Sequence, residues 1–375
     1  MQGDLRAQET LVKCCGNSAK EREKRLAKLR GSGLKAGPSE RGLGGVTGTQ
    51  FYLFSGVKWG IMSSNSQEAA LGPVVDTSQL PHDQLHGAIA ASAKLVDSAL
   101  DAVLPQPAGR QARVQEAMRY AIMAGGKRLR PFLVLHSARL FGVDDSRSLR
   151  VGAAIEALHT YSLVHDDLPC MDDDDLRRGR PTTHIAFDEM TAVLAGDALL
   201  TIAFEILADA RTHPSGDVRC ALIARLAEAS GHSGMIGGQI IDMLADQSFG
   251  VEDVIDLQRR KTGQLFEFSC EAGPILGQAT AEDRARLKAY AEDMGVVFQI
   301  TDDLLDVTST AEKTGKAVGK DADMGKQTLV TLLGVEGART EAGKRARRAV
   351  EALGPHAAKA PELSALPFFL LDRDS

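Results

Sequence analysis

The chain has few aromatic residues, few cysteines and no long apolar run. Aromatic side chains make up 5% of its 375 residues, with one Trp and four Tyr. Strands favour aromatic and β-branched side chains, so this scarcity, beside abundant Ala and Leu, argues for helices. Cys14, Cys15, Cys170, Cys220 and Cys270 form an odd set of five without metal-ligand spacing. That argues against a disulfide-stapled fold and suits a reducing, cytoplasmic setting. No apolar run reaches the roughly 18 residues of a membrane span, and nothing near the N-terminus reads as a secretory signal. No integral membrane segment is therefore expected. The net charge of −6 argues against non-specific nucleic-acid binding by the whole chain. What remains is a chain with 43% hydrophobic content, enough for a sizeable core in one or two domains.

The first 61 residues differ from the rest. They hold eleven Lys/Arg against five Asp/Glu. Residues 31–48 are glycine-rich without apolar periodicity and read as flexible chain. Residues 1–61 are read as a disordered or non-native extension, with translation beginning at Met62. Acidic residues in the extension count against an organellar transit peptide. A linker is expected over 62–80, and one domain over 81–375. An intact mass that included residues 1–61 would contradict this reading of the extension.

From His82 the pattern turns periodic. Leu85, Ala88, Ile89, Ser92, Leu95, Val96, Ala99, Leu100 and Val103 recur at three- and four-residue spacing, the mark of an amphipathic helix. Further helices are expected over 112–123, from Pro131 through Phe141, from Asp144 or Ser146 to about Asp167, and over 184–210, 218–245, 252–271, 281–306 and 326–353. A short apolar tail covers 362–371. No strand alternation stands out. The expected fold is all-α, a single large helical bundle.

One stretch concentrates charge. Asp166, Asp167, Asp172, Asp173, Asp174 and Asp175 fall within ten residues, and Arg177, Arg178 and Arg180 follow. Carboxylates so close raise each other's pKa unless a cation intervenes. The run follows an apolar segment at a helix end, which favours a held metal site over a solvated acidic loop. A second acidic group ends the 281–306 helix: Asp302 and Asp306 are four apart and share a face with Phe298, Gln299 beside it. Both groups lie at negative ends of helix dipoles, which adds to the need for cations. Magnesium is the natural candidate, because it takes a few carboxylates plus water and phosphate oxygens.

Basic groups surround these acids. Lys127, Arg128 and Arg130 sit at a glycine turn opening a helix, where backbone N–H groups suit a phosphate. Lys261 lies between Leu257 and Leu265 at four-residue spacing, so it either snorkels or meets an anion. Thr262 offers a hydroxyl next to it. His159 is two turns below Asp166 and is either a core histidine or an anion donor. Lys316, Lys320 and Lys326 follow the second acidic group. Together they describe two anion sites beside a metal cluster. No Ser/His/Asp triad, nucleophilic cysteine setting or Walker-type loop is present.

These residues resemble the trans-isoprenyl diphosphate synthase family, which includes farnesyl and geranylgeranyl diphosphate synthases. Asp166-Asp167-Leu168-Pro169-Cys170-Met171-Asp172 with Arg177-Arg178-Gly179 is similar to the family's first aspartate-rich motif, in its bacterial farnesyl and plant geranylgeranyl form. Asp302-Asp303-Leu304-Leu305-Asp306 is similar to the second. Gly125-Gly126-Lys127-Arg128-Leu129-Arg130-Pro131, His159, Gly237-Gly238-Gln239, Lys261-Thr262-Gly263 and Phe298-Gln299 match as well. The resemblance covers roughly residues 80–371.

The resemblance implies an isoprenoid-synthase bundle around a central cavity, usually a homodimer. Asp166, Asp172, Asp302 and Asp306 would hold several Mg2+ ions, with Asp167 and Asp303 as further candidates. Arg177, Lys261, Thr262, Gln299 and Lys316 would contact an allylic diphosphate. Lys127, Arg130, His159 and Arg178 would hold isopentenyl diphosphate. Asp166, Asp172, Lys261 and Asp302 would carry the chemistry: ionisation of the allylic C–O bond, attack by the isopentenyl double bond, and loss of a proton to the released diphosphate. Product length in the family depends on side chains just before the first motif, here Tyr161 and Ser162. Tyr161 is five residues, about 7.5 Å, below Asp166 on the helix, which implies farnesyl diphosphate as the product, with geranylgeranyl diphosphate the alternative. A class I terpene cyclase would not need the second basic site. A non-catalytic partner subunit would lack part of one aspartate motif, and both are intact.

Overall fold

A computed structural model describes residues 80–308 and 327–372. The chain divides into Met1–Val74 and Val75–Ser375, and the described residues belong to the second unit. The extension read over 1–61 lies outside the described residues, as do Lys316, Lys320, Lys326 and all but the last residue of the expected linker.

The all-α expectation holds. Thirteen α-helices carry the described residues: α1 (His82–Val103), α2 (Ala112–Ile122), α3 (Leu129–Leu140), α4 (Asp145–Asp166), the short α5 (Thr183–Ala186), α6 (Glu189–Ala208), α7 (Gly216–Ser230), α8 (Met235–Leu244), α9 (Val251–Gln258), α10 (Gln264–Leu276), α11 (Ala281–Thr308), α12 (Leu329–Leu353) and α13 (Pro361–Leu371). One π-turn, Arg259–Gly263, joins α9 to α10. The sequence misses one pair of very short strands. β1 (Leu176–Arg177) pairs antiparallel with β2 (Arg180–Pro181), Leu176 opposite Pro181. Arg178 and Gly179 both take positive φ, 54° and 73°, the tight turn whose twist matches a hairpin.

α10 lies at the centre. Every residue from Leu265 to Leu276 is buried, and the helix packs against α3, α11, α7 and α4. The helix expected to end at 271 runs on through Gly273 and Pro274 to Leu276. Pro274 sits in the last turn, and Gly273 packs directly on the Ser137 and Ala138 backbone of α3. One apolar core joins α1, α2, α4, α6, α7 and α10 around Leu158, Leu199, Leu222 and Phe268. A second joins α3, α10, α11, α12 and α13 around Phe132, Phe266 and Tyr290. Asp144 caps α4, its carboxylate accepting from the Ser146 N–H at 2.8 Å.

Two expected helices are split. Residues 184–210 form α5 and α6, because Asp188 caps a new helix by accepting from Thr191 N–H at 2.7 Å. Residues 218–245 form α7 and α8, interrupted at Gly231 and Gly234, which do not hold helical φ and ψ. α6, with 20 residues and a mean hydropathy of 1.8, is long and apolar enough to cross a membrane by composition, which the reading of apolar runs did not anticipate. It nevertheless packs along α4 and α2 and carries Asp197 and Glu205, as a bundle helix does.

Candidate active site

The first acidic group sits where α4 ends. Asp166 is its last residue, half-buried, and burial pushes its carboxyl up to about 6. Asp172 and Asp167 add to that shift, while Lys261 and Arg177 oppose it. Asp172 is exposed, and its N–H folds back onto the Asp166 carbonyl at 2.8 Å. Asp167 behaves differently from both. It is 2% exposed and accepts from Arg177 Nε at 2.7 and 2.8 Å. The hairpin holds Arg177 at this point and turns Arg178 toward the Gly125 carbonyl, to which its guanidinium donates.

The glycine turn before α3 collects positive charge. Arg128, in left-handed conformation, is buried and pairs with Glu156 at 2.7 Å and Asp97 at 3.0 Å. It is thus taken up by structure, leaving Lys127 exposed at the turn and Arg130 inside. Arg130 lies over the Phe266 ring at 4.9 Å, and its buried Nε has no hydrogen-bond partner among the described residues. Burial lowers its pKa to about 10, and Arg178 adds to this against Glu156. Half-buried His159 faces the same group. Burial first, then Arg130, Arg178, Arg177 and Arg128, hold it well below an ordinary imidazole. A cluster of cations around a half-buried imidazole suits an anion by its electrostatics.

The π-turn joins the two acidic groups. A five-residue wide turn shifts the helical register by one position. The apolar stripe expected through Leu257, Lys261 and Leu265 is therefore wrong at its start: the inward positions are Val254, Gln258, Gly263 and Leu265. Lys261 leaves the core and reaches Asp242 of α8, Nζ to Oδ2 at 2.8 Å. Its charge is disfavoured by burial, but Asp242, then Asp166 and Asp172, more than compensate and raise its pKa. Next to it, Thr262 Oγ1 donates to Gln299 Oε1 at 3.2 Å. Lys261 thus faces the first motif, and Thr262 the second. Asp302 and Asp306 are half-buried on α11, while Asp303 is buried, accepting from Gln299 Nε2 at 2.9 Å and Gln258 Nε2 at 3.2 Å.

Two of the remaining candidates lie lower on α4. Tyr161 is buried, edge-on to His165 with ring centroids 5.5 Å apart, and burial pushes its hydroxyl up to about 12. Ser162 donates to the His159 carbonyl at 2.8 Å. Lys316 lies outside the described residues. Sequence reasoning missed Asp242 and Gln258. Asp242 had a signal, since it is three residues after Gln239 and so on one face of α8 with it. The amide of Gln239 is buried, both its atoms without a hydrogen-bond partner among the described residues. Gln258 lies on the inward face of α9 with Val254, but a lone glutamine there carried no chemical signal.

The structure thus presents a helical bundle with one acidic group at the end of α4, another on α11, Lys261 beside the first and a cationic cluster around His159. Comparison with known proteins gives the family. Residues 111–364 match the polyprenyl synthetase family. The chain is 44% identical to the farnesyl diphosphate synthase of Bacillus subtilis over 246 residues, 64% of this chain and 82% of that one. It is 40% identical to geranylgeranyl pyrophosphate synthase 9 of Arabidopsis thaliana over 289 residues, 75% of this chain and 79% of that one. A crystal structure of an FPP/GFPP synthase from Zymomonas mobilis superposes with a TM-score of 0.70 at 45% identity, covering 77% of this chain and 99% of that one. The chain belongs to the polyprenyl synthetase family, the trans-isoprenyl diphosphate synthases, and is a prenyltransferase acting on isoprenyl diphosphates.

Proposed function

We propose that the chain condenses isopentenyl diphosphate with dimethylallyl and geranyl diphosphates head-to-tail, with farnesyl diphosphate as the main product. The observation that carries this reading is the presence of two separate cationic places. Lys261 lies with Asp242, Asp166 and Asp172, whereas Arg130 and Arg178 gather around His159. A cyclase, with a single diphosphate to hold, has no use for the second.

The donor set fits magnesium. Among the described residues no three His, Cys, Asp or Glu side chains converge into a protein-only cage. The acids present are hard oxygen donors, and burial, with Asp172 and Asp167 adding to it, holds Asp166 up to about 6. Such a carboxylate welcomes a cation, and waters and diphosphate oxygens complete the coordination magnesium prefers. Asp166, Asp172, Asp302 and Asp306 would hold Mg2+, which when bound neutralises charge on the departing diphosphate. Asp167 instead anchors Arg177.

The chain's own residues divide the remaining work. Lys261, held by Asp242, presents its ammonium to the allylic diphosphate, with Thr262 and Gln299 beside it and Lys316 from the segment after α11. The orphaned amide of Gln239 lies on the Asp242 helix and supplies spare hydrogen bonds there. Arg130, Lys127, Arg178 and His159 seat isopentenyl diphosphate. Tyr161, with Ser162 above it, floors the space for the growing chain and favours a C15 product over C20. The exposed apolar side chains of α6, Met190, Val193 and Leu194, form the face for a homodimer. The reading assigns catalysis to residues 81–375.

Incubation with labelled isopentenyl diphosphate and separate allylic starters, analysed by chain length, tests the reading. Label is expected in C15 products from dimethylallyl and geranyl starters, shifting to longer chains in Tyr161→Ala. Absence of incorporation contradicts prenyl elongation, and an unchanged distribution in the variant removes Tyr161 as the floor.

A further inference from the structure

Gln258 is 7% exposed at the end of α9, and nothing in diphosphate chemistry calls for it. Its Nε2 donates to Asp303 Oδ2 at 3.2 Å, while its Oε1 is buried without a hydrogen-bond partner among the described residues. The amide is oriented by the carboxylate, which can only accept. An unsatisfied buried carbonyl is costly, and a residue kept only for packing would not carry it. Asp303 also accepts from Gln299, and Gln299 accepts from Thr262. Gln258 and Thr262 are four residues apart on one strip of chain, and Gln299 and Asp303 four apart on α11. The bonds therefore form a ladder. Gln258–Asp303 and Thr262–Gln299 are its rungs, and Gln299–Asp303 is one rail.

We propose that Gln258 and Asp303 are positioning residues that hold the π-turn in register against α11, and so set Lys261 and Thr262 relative to Asp302 and Asp306. The inference rests on the function proposed above. One rung lies just before the wide turn and the other inside it. A wide turn is a single-turn insertion in a helix, so its position along the chain sets the register of the residues around it. Moving it by one residue would break both rungs, since a hydrogen bond is lost within a few tenths of an ångström beyond about 3.5 Å. It would also withdraw Lys261 from Asp242. Asp303, although inside the second acidic motif, acts here as an acceptor of two amide N–H groups and not as a cation ligand.

An exchange of amide and carboxylate tests this. Asp303→Asn turns an NH2 toward an amide donor, and Gln258→Glu opposes two carboxylates. Combined, the two substitutions restore a donor–acceptor pair with its direction reversed. Each single variant is expected to bind a non-ionisable allylic diphosphate analogue, with Mg2+ present, at least tenfold more weakly in calorimetry. The double variant is expected to recover to within about threefold of wild type, with a parallel recovery in thermal midpoint measured without metal. A double variant that recovers its midpoint but not its binding shows that the ladder is structural only, and overturns the positioning role. A double variant as weak as Asp303→Asn, with a raised Mg2+ requirement in both, overturns it in favour of a metal ligand. Singles that bind like wild type overturn it as well. Wild-type protein that binds no such analogue overturns the assigned function, and positioning with it; wild-type binding with an unrescued pair overturns positioning alone.

Discussion

His159 shows how much a single side chain reports about its surroundings. Burial and four arginines hold it well below the ordinary imidazole value of 6.5, so it is neutral at pH 7. The unfolded chain takes up a proton there as pH falls through that value, and the native chain does not. The unfolded state then binds more protons, so this group lowers stability as pH falls below about 6.5. A diphosphate among the same arginines offsets their charge and lets His159 take the proton. Isopentenyl diphosphate should therefore bind more tightly as pH drops from about 7.5 to about 6, beyond the change seen in His159→Gln. Parallel pH dependences in the two proteins, measured by calorimetry, would contradict that. The residue types were legible in the sequence here, but their division of labour was not. Arg128 and Arg130 look alike in a run of basic residues, and only the structure separates Arg128, paired with Glu156 and Asp97, from Arg130, whose buried Nε has no hydrogen-bond partner among the described residues.

At the scale of elements, the π-turn matters most. Lys261 reaches Asp242 only because α8 approaches the turn closely at Gly238, where an added Cβ would collide with the Lys261 backbone. Gly238→Ala must push the two apart. It should cost about 1–3 kcal/mol in stability, as overpacking does, and lower kcat/KM by tenfold or more through Lys261. Urea unfolding and steady-state kinetics check the two effects, and a variant with unchanged kinetics would detach Lys261 from α8. Sequence periodicity placed most helices well, since Leu and Ala recur on one face of each. It could not place the π-turn, because the wide turn inserts one residue inside a run that otherwise reads as helix, and Gly263 at its end is followed by more helical pattern. It likewise ran α7 into α8, since Gly231 and Gly234 are embedded in a helical pattern. The hairpin at Arg178-Gly179 was hidden for a different reason: strands of two residues show no alternation.

At the scale of the whole molecule, both aspartate groups were legible because they combine unusual composition with helix-end positions. Their union in one site came from the family resemblance, since periodicity alone does not say that α10 lies centrally and follows the π-turn. The assembly belongs to this scale too. Met190, Val193 and Leu194 are 64%, 40% and 49% exposed along α6, an apolar stripe that a second copy would cover. Sedimentation should show a dimer for the wild-type protein and a monomer for Leu194→Arg; a variant that remains dimeric would move the interface elsewhere.

The central claim is that Asp166, Lys261 and Asp302, from three elements, act on one allylic diphosphate. Calorimetric binding of a non-ionisable geranyl diphosphate analogue in the presence of Mg2+ tests it most directly. Asp166→Asn, Lys261→Gln and Asp302→Asn should each weaken binding at least tenfold, about 1.4 kcal/mol. Binding to Asp302→Asn as tight as to the wild-type protein would show that the second motif does not share the site, and would contradict the account.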